Sequence, residues 1–293
     1  MIVVKSNELN NVITKKTAVA LGSFDALHKG HLGVIGETVR YAKKNNLLSI
    51  VQLVERNDKD KVNALSKRLK ILESMGVDVV VIEKFTPEFK AVSYEHFIEE
   101  FICKKYNAAA VFAGENYRFG FMAEGDAERL REICGEFNIG VFIVPYVMEG
   151  DKIISSSAIR RFVEKGEVEK ARDYMSRPFS LSGEVIHSNG VGRKHGFPTA
   201  NIRIPQELIV PKDGVYATRI NVDGKIYQGL TNVGAKPTVK IDERNIETYI
   251  LNFEGDLYGK KIEIEFLKRI RDTKKFDSLG ELKKQIEEDK KRI

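Results

Sequence analysis

TAVALGSFDALHKGH, residues 17–31, decides the fold. Its first eight residues form a short apolar run of the length expected for a strand buried on both faces. The run passes through a turn marked by Gly22 directly into a stretch of helical character. The same texture recurs outward from it. LLSIVQLV (47–54), VDVVVIEKF (77–85), AAVFAG (109–114) and VFIVPYV (141–147) are β-branched apolar runs, and 31–45, 64–75, 93–106 and 126–137 are amphipathic segments between them. Strand–helix alternation at this spacing predicts an α/β parallel sheet with helices on both faces. Ligands of such sheets bind beyond the carboxyl ends of the strands.

The texture changes after about residue 175. LSGEVIH, VYATRINV, KIYQGLTNV, IETYILNF and KIEIEFL, all within 181–270, are short alternating runs divided by turn signals. Asp223-Gly224 between two of them marks a hairpin. The spacing predicts a small antiparallel β-barrel. SLGELKKQIEEDKKRI then closes the chain as an amphipathic helix begun by Ser278. The domain boundary is placed at Arg177-Pro178, giving domains 1–178 and 179–293, and 293 residues suffice for two such cores.

The bulk numbers exclude several classes. An apolar fraction of 42% with 31% charged residues is that of an ordinary globular chain. The net charge of +6 favours anionic partners, but 48 Lys+Arg and 42 Asp+Glu are interspersed and no basic-aromatic stripe forms. Phosphate-bearing small molecules answer that bias, and no nucleic-acid partner is expected. Cys103 and Cys134 lie in helical stretches without a CxxC or a His/Cys cluster, so reduced thiols are expected and no disulfide framework or cysteine-held metal. MIVVKSNELN is too short an apolar run for a signal peptide, and no stretch approaches a membrane span. No membrane partner and a cytoplasmic location are the expectation. The sequence leaves the oligomeric state open.

Two places carry chemistry. His28 and His31 stand three residues apart at a helix entrance, which puts both rings on one side of the first turn. There they can donate to phosphate oxygens that gain charge during group transfer. Three serines in ISSSAIR (154–160), Ser155, Ser156 and Ser157, precede a helix with Arg160 one turn in. In GRKHGFPTAN (192–201) glycines let backbone amides face a polyphosphate, and Thr199 and Asn201 offer oxygens suited to Mg²⁺. Gly190, Gly192 and Gly196 lack dinucleotide spacing, and GDLYGKK (255–261) is not a Walker A loop.

The order GSFDALHKGH, GENYRFG, ISSSAIR, and then GRKHGFPTAN and IETYILNFEGDLYGK, resembles the bacterial bifunctional riboflavin kinase/FAD synthetases. The resemblance implies a Rossmann-like nucleotidyltransferase domain followed by a β-barrel riboflavin kinase domain. The activities implied are phosphorylation of riboflavin to FMN and adenylylation of FMN to FAD, with ATP as co-substrate, Mg²⁺ as its metal, and flavin as substrate and product. Kinase activity alone, or flavin binding without catalysis, are the alternatives. In the first domain the family pattern assigns Gly22, Ser23, Phe24, Asp25, His28, Gly30, His31, Asn116, Arg118, Ser155, Ser156, Ser157 and Arg160 to ATP. In the second it assigns Gly192, Lys194, Gly196, Pro198, Thr199 and Asn201 to MgATP, with Thr199 and Asn201 on the metal. Glu247 is implied as the general base, and Arg271 and Phe276 as residues that close over the flavin. The chain departs from the pattern at Ala26, Asn116, Asn252 and the LVERND stretch (53–58).

Overall fold

The computed structural model describes residues 1–187, 197–235 and 244–293. The chain packs as two compact units, 1–58 with 65–155, and 59–64 with 156–293. This division lies upstream of the boundary read from the sequence. Residues 59–64 and the two helices Ser156–Lys165 (α6) and Val168–Met175 (α7) fall with the second unit.

The first unit is a parallel sheet. Ile2–Lys5 (β1), Thr17–Gly22 (β2), Leu48–Glu55 (β3), Val79–Lys84 (β4), Ala108–Gly114 (β5) and Gly140–Val144 (β6) lie in the order β1-β4-β3-β2-β5-β6. Successive residues of β2 bury opposite faces. Ala18 and Ala20 pack with Val34, Ile35 and Leu72 from Lys29–Lys44 (α1) and Leu65–Ser74 (α2). Val19 and Leu21 pack with Phe97, Ile98 and Leu130 on the other side. Period-two burial on both faces is what a doubly covered sheet requires, and it explains why the strands read as unbroken apolar runs.

Between α2 and β5 the chain forms the short turns Pro87–Lys90 (α3) and Tyr94–His96 (α4). The stretch predicted as one helix over 93–106 then widens to π-helical geometry over Phe97–Lys105, ending on a bond from the Tyr106 amide to the Phe101 carbonyl of 2.8 Å. Ala127–Glu136 (α5) and the small hairpin Met148–Glu149 (β7) with Lys152–Ile153 (β8) complete the unit. Cys103 is half-buried and Cys134 buried, both as free thiols. Burial pushes Cys134 up to about 12, which keeps it protonated and unreactive.

The second unit closes a barrel of Phe179–Ile186 (β9), Thr199–Arg203 (β10), Gly214–Val222 (β11), Lys225–Ala235 (β12), Arg244–Ile250 (β13) and Lys261–Arg271 (β14), ordered β10-β13-β12-β11-β14-β9. The hairpin at Asp223-Gly224 forms as predicted: φ is 50° and 87° at the two residues, the left-handed pair that a two-residue turn demands. The barrel interior carries three fully buried threonines. Thr218 and Thr231 hydroxyls lie 2.8 Å apart and Thr231 and Thr248 hydroxyls 2.9 Å apart, so each polar group is satisfied in the core. Lys59–Ala64 belongs to this unit, with the Lys61 amide donating to the Glu207 carbonyl and its own carbonyl accepting from Ile209.

The terminal helix Leu279–Lys290 (α8) starts at Ser278, whose hydroxyl accepts from the Glu281 amide at 3.2 Å. It is fastened by Asp289, 1% exposed, which accepts from Arg271 Nε at 2.9 Å and pairs with Arg271 Nη2 at 2.7 Å. Removing one partner of a buried pair leaves the other charge uncompensated. Asp289→Ala is therefore expected to cost about 3–5 kcal/mol, read as a lower urea midpoint with an unchanged denaturant slope.

Candidate active sites

The sheet order reverses between β2 and β5, and the crevice of such a sheet opens at that point. The loops leaving these two strands are GSFDALH and GENYRFG, so the topology brings both predicted nucleotide segments to one edge.

The β2 loop is tightly built. Phe24 and Leu27, both buried, adopt left-handed backbone with φ of 47° and 45°, a strained arrangement of the kind functional loops retain. Ala26, which stands where glycine is usual, has no such φ and is fully buried, so its methyl is accommodated. Phe24 turns its ring under Gly22, where a Cβ would meet Phe24 Cζ at 2.9 Å. The same ring sits edge-on to His31, with centroids 5.3 Å apart. Phe24 is thus a wall of the loop. Ser23 is exposed and Asp25 buried.

His28 caps α1: its Nδ1 accepts from the His31 amide at 3.3 Å. An accepting Nδ1 places the ring proton of neutral His28 on Nε2, leaving a donor on the opposite side. The two imidazoles stack with centroids 3.7 Å apart and planes 20° apart, and a Cβ at Gly30 would come within 3.3 Å of the His28 ring. The predicted pair is one structural unit at a positive helix end.

On the β5 loop, Asn116 and Arg118 are exposed, and Arg118 Nη1 donates to Asp126 at 3.0 Å. Asp126 caps α5, and the Arg129 amide holds its carboxyl below the usual range. Burial keeps the Tyr117 phenol neutral by raising it above its ordinary value. Ser155 ends the first unit, and Ser156, Ser157 and Arg160 open the second at the start of α6, with Arg160 Nε donating to the Asp60 carbonyl at 2.9 Å.

In the barrel, Gly192, Lys194 and Gly196 lie outside the described residues. Pro198 leads into β10, so Thr199 and Asn201 project from a strand where the sequence suggested a turn. Asn201 stands directly opposite Glu247 of β13, and on the far side Glu247 stands opposite Asn232 of β12. Residues paired in this way share a face, with Cβ atoms about 5 Å apart. Thr199, two residues from Asn201, is on the same face and exposed. Asn201 is 4% exposed, and its Oδ1 is buried without a hydrogen-bond partner. An unsatisfied buried oxygen beside a hydroxyl and a carboxylate is a donor set that fits a hard divalent cation. Among the described residues no group of three His, Cys, Asp or Glu forms a protein-only metal cage, so substrate oxygens would complete the shell. Arg271, engaged by Asp289, lies with its guanidinium carbon 5.9 Å from the centre of the Phe276 ring. Its predicted closure over a flavin competes with that ion pair.

Comparison with known proteins agrees with both halves. The family model described as FAD synthetase matches residues 10–158, and that described as riboflavin kinase matches 175–293. A bifunctional riboflavin kinase/FMN adenylyltransferase from Buchnera aphidicola is 33% identical, covering 94% of this chain and 93% of its own. The protein of that name from Bacillus subtilis is 34% identical over 94% of this chain and 90% of its own. A crystal structure from Streptococcus pneumoniae, described as a macrolide-efflux protein, is 29% identical with a TM-score of 0.89 over 99% of this chain and 98% of that one. Among the described residues no helix is long and apolar enough to cross a membrane. A parallel sheet and a closed barrel, matched in tandem by the two family models and at nearly full length by these relatives, place the chain in the bifunctional riboflavin kinase/FMN adenylyltransferase family.

Proposed function

We propose that the barrel unit phosphorylates riboflavin through Glu247, Thr199 and Asn201, and that the loop at 22–31 serves adenylylation of the resulting FMN. The chain is an ATP-dependent transferase with two consecutive reactions, riboflavin to FMN and FMN to FAD. In the first, Glu247 takes the proton of the ribityl hydroxyl as that oxygen attacks the γ-phosphorus, and ADP leaves. Thr199 and Asn201 would hold Mg²⁺, which neutralises phosphate charge. In the second, an FMN phosphate oxygen attacks the α-phosphorus and pyrophosphate leaves. His28 and His31 donate to the phosphate oxygens there, while the strained backbone of Phe24 and Leu27 fixes their position. Catalysis in both units is positioning and charge stabilisation. The same reading makes riboflavin, FMN and ATP the partners rather than nucleic acid or membrane, and the cytoplasm the location.

The observation that carries the kinase assignment is the cross-strand pairing of Asn201 with Glu247, with a buried unpartnered oxygen on the asparagine. Loss of a group supporting a metal typically costs about 10–100-fold, so Asn201→Ala is expected to weaken MgATP binding at least about tenfold. Calorimetry of the full chain with MgATP, and with ATP plus chelator, tests it. Equal affinity in wild type and variant with MgATP would remove Asn201 from the metal.

A further inference from the structure

We propose that Asn232 is a positioning residue of the phosphoryl transfer, holding the Glu247 carboxylate in the orientation that receives the acceptor proton. The inference rests on Glu247 being the base.

Asn232 is the residue of β12 directly opposite Glu247, and the β12–β13 ladder runs from Gly229–Ile250 to Ala235–Arg244 without a register shift. The register is pinned one residue away. Thr231 and Thr248, the immediate neighbours of Asn232 and Glu247, join hydroxyls at 2.9 Å inside the barrel, which turns Asn232 and Glu247 together to the outer face. Glu247 therefore stands between two carboxamides, Asn201 on one flank and Asn232 on the other. The flanks differ. Asn201 is buried with an unpartnered oxygen, as a metal-side residue would be. Asn232 is half-buried, and its Nδ2 lies over Gly234, where an added Cβ would sit 3.8 Å from both that nitrogen and Thr273 Cγ2. Thr273 belongs to the segment that leads from Arg271 to Phe276. Asn232 thus occupies the flank away from the metal ligand, on the side of the segment assigned to the flavin.

A carboxamide suits this place. Turned toward Glu247, its N–H can donate to one carboxylate oxygen and fix the plane, leaving the other oxygen for the ribityl hydroxyl. Being neutral, it does so without raising the proton affinity of the base. The proton passes from hydroxyl to Glu247, the new O–P bond forms, and the γ–β bridging bond breaks to release ADP. Asn232 exchanges nothing in this step. Among the described residues, the charged and titratable groups that share this face or pack against it include Tyr249 of β13, Arg203 of β10 with Glu184 of β9 opposite it, Lys290 of α8 with its partner Glu287, and Asp272 and Lys274 on either side of Thr273.

The test is the pH dependence of riboflavin phosphorylation by full-length Asn232→Ala, Asn232→Asp and Glu247→Gln, with FMN adenylylation measured on each preparation. Asn232→Ala is expected to lose about tenfold in kcat with KM for MgATP changed by less than about twofold. Asn232→Asp sets a second carboxylate beside Glu247 and is expected to move the acid limb of kcat/KM up by about one pH unit. Adenylylation stays at the wild-type rate in both. Wild-type profiles in both variants, or equal losses with an unmoved acid limb, would overturn the proposal. Should the aspartate variant misfold, Asn232→Ser decides: turnover above that of the alanine variant supports the role, and turnover equal to it refutes it. Wild-type turnover by Glu247→Gln would instead remove the base itself.

Discussion

Glutamine in place of Glu247 is expected to slow riboflavin phosphorylation by about 10²–10⁴-fold, the usual worth of a positioned general base. The substitution keeps shape and polarity but removes the lone pair that takes the proton. Glu247 lies mid-strand in β13 with registered neighbours on both sides, so the amide occupies the same place without disturbing the ladder. Nucleotide binding should persist, because Thr199 and Asn201 are untouched. FAD formation from supplied FMN should continue at its original rate, and this second activity reports that the chain is intact. Wild-type phosphorylation by the variant would show that another group accepts the proton.

Replacing His28 and His31 together by alanine should have the converse effect. FAD formation is expected to fall by at least about 10²-fold, as when an oxyanion donor is lost, while phosphorylation of riboflavin proceeds. A structural explanation has to be separated, because His28 also caps α1. Losing an N-cap costs about 1 kcal/mol, too little to unfold a domain held by two buried core clusters. His28→Asn makes the distinction directly. Asparagine is among the best N-cap residues but has no imidazole Nε2 to present to a phosphate. It should keep the stability of the wild type and share the loss of adenylylation. Recovery of FAD formation in the asparagine variant would mean that His28 serves only the helix.

The α/β half was legible because its strands are buried on both faces, so β2 to β6 read as apolar runs. β1 was not, since its four residues are mostly exposed at the sheet edge and carry no period. In the barrel, Asp223-Gly224 and Ser278 marked a turn and a helix start through side-chain chemistry that acts locally. β10 was hidden because Pro198 and the glycines before it read as a turn, whereas its pairing with β9 and β13 is set by residues far along the chain. The candidate catalytic residues were found by motif, yet the adjacency of Asn201, Glu247 and Asn232 is a matter of register. Arg271 shows the limit most clearly. Its partner Asp289 lies 18 residues on, and nothing local announces the pair. The packing division differs from the boundary read at Arg177-Pro178 for the same reason: α6 and α7 look like a continuation of the first unit but pack with the second.

The crossing of Lys59–Ala64 into the barrel unit bears on how the two units can be divided. The excursion falls between β3 and α2, so no single cut of the chain separates the two packed units whole. A fragment beginning at 156 would leave the amide of buried Ile209 without the Lys61 carbonyl, at about 1–3 kcal/mol for a buried group left unsatisfied, and would release the carbonyl of exposed Glu207 from the Lys61 amide. A barrel unit carried alone into another chain would therefore need that short loop, or a substitute for its backbone pairing, to keep its full stability.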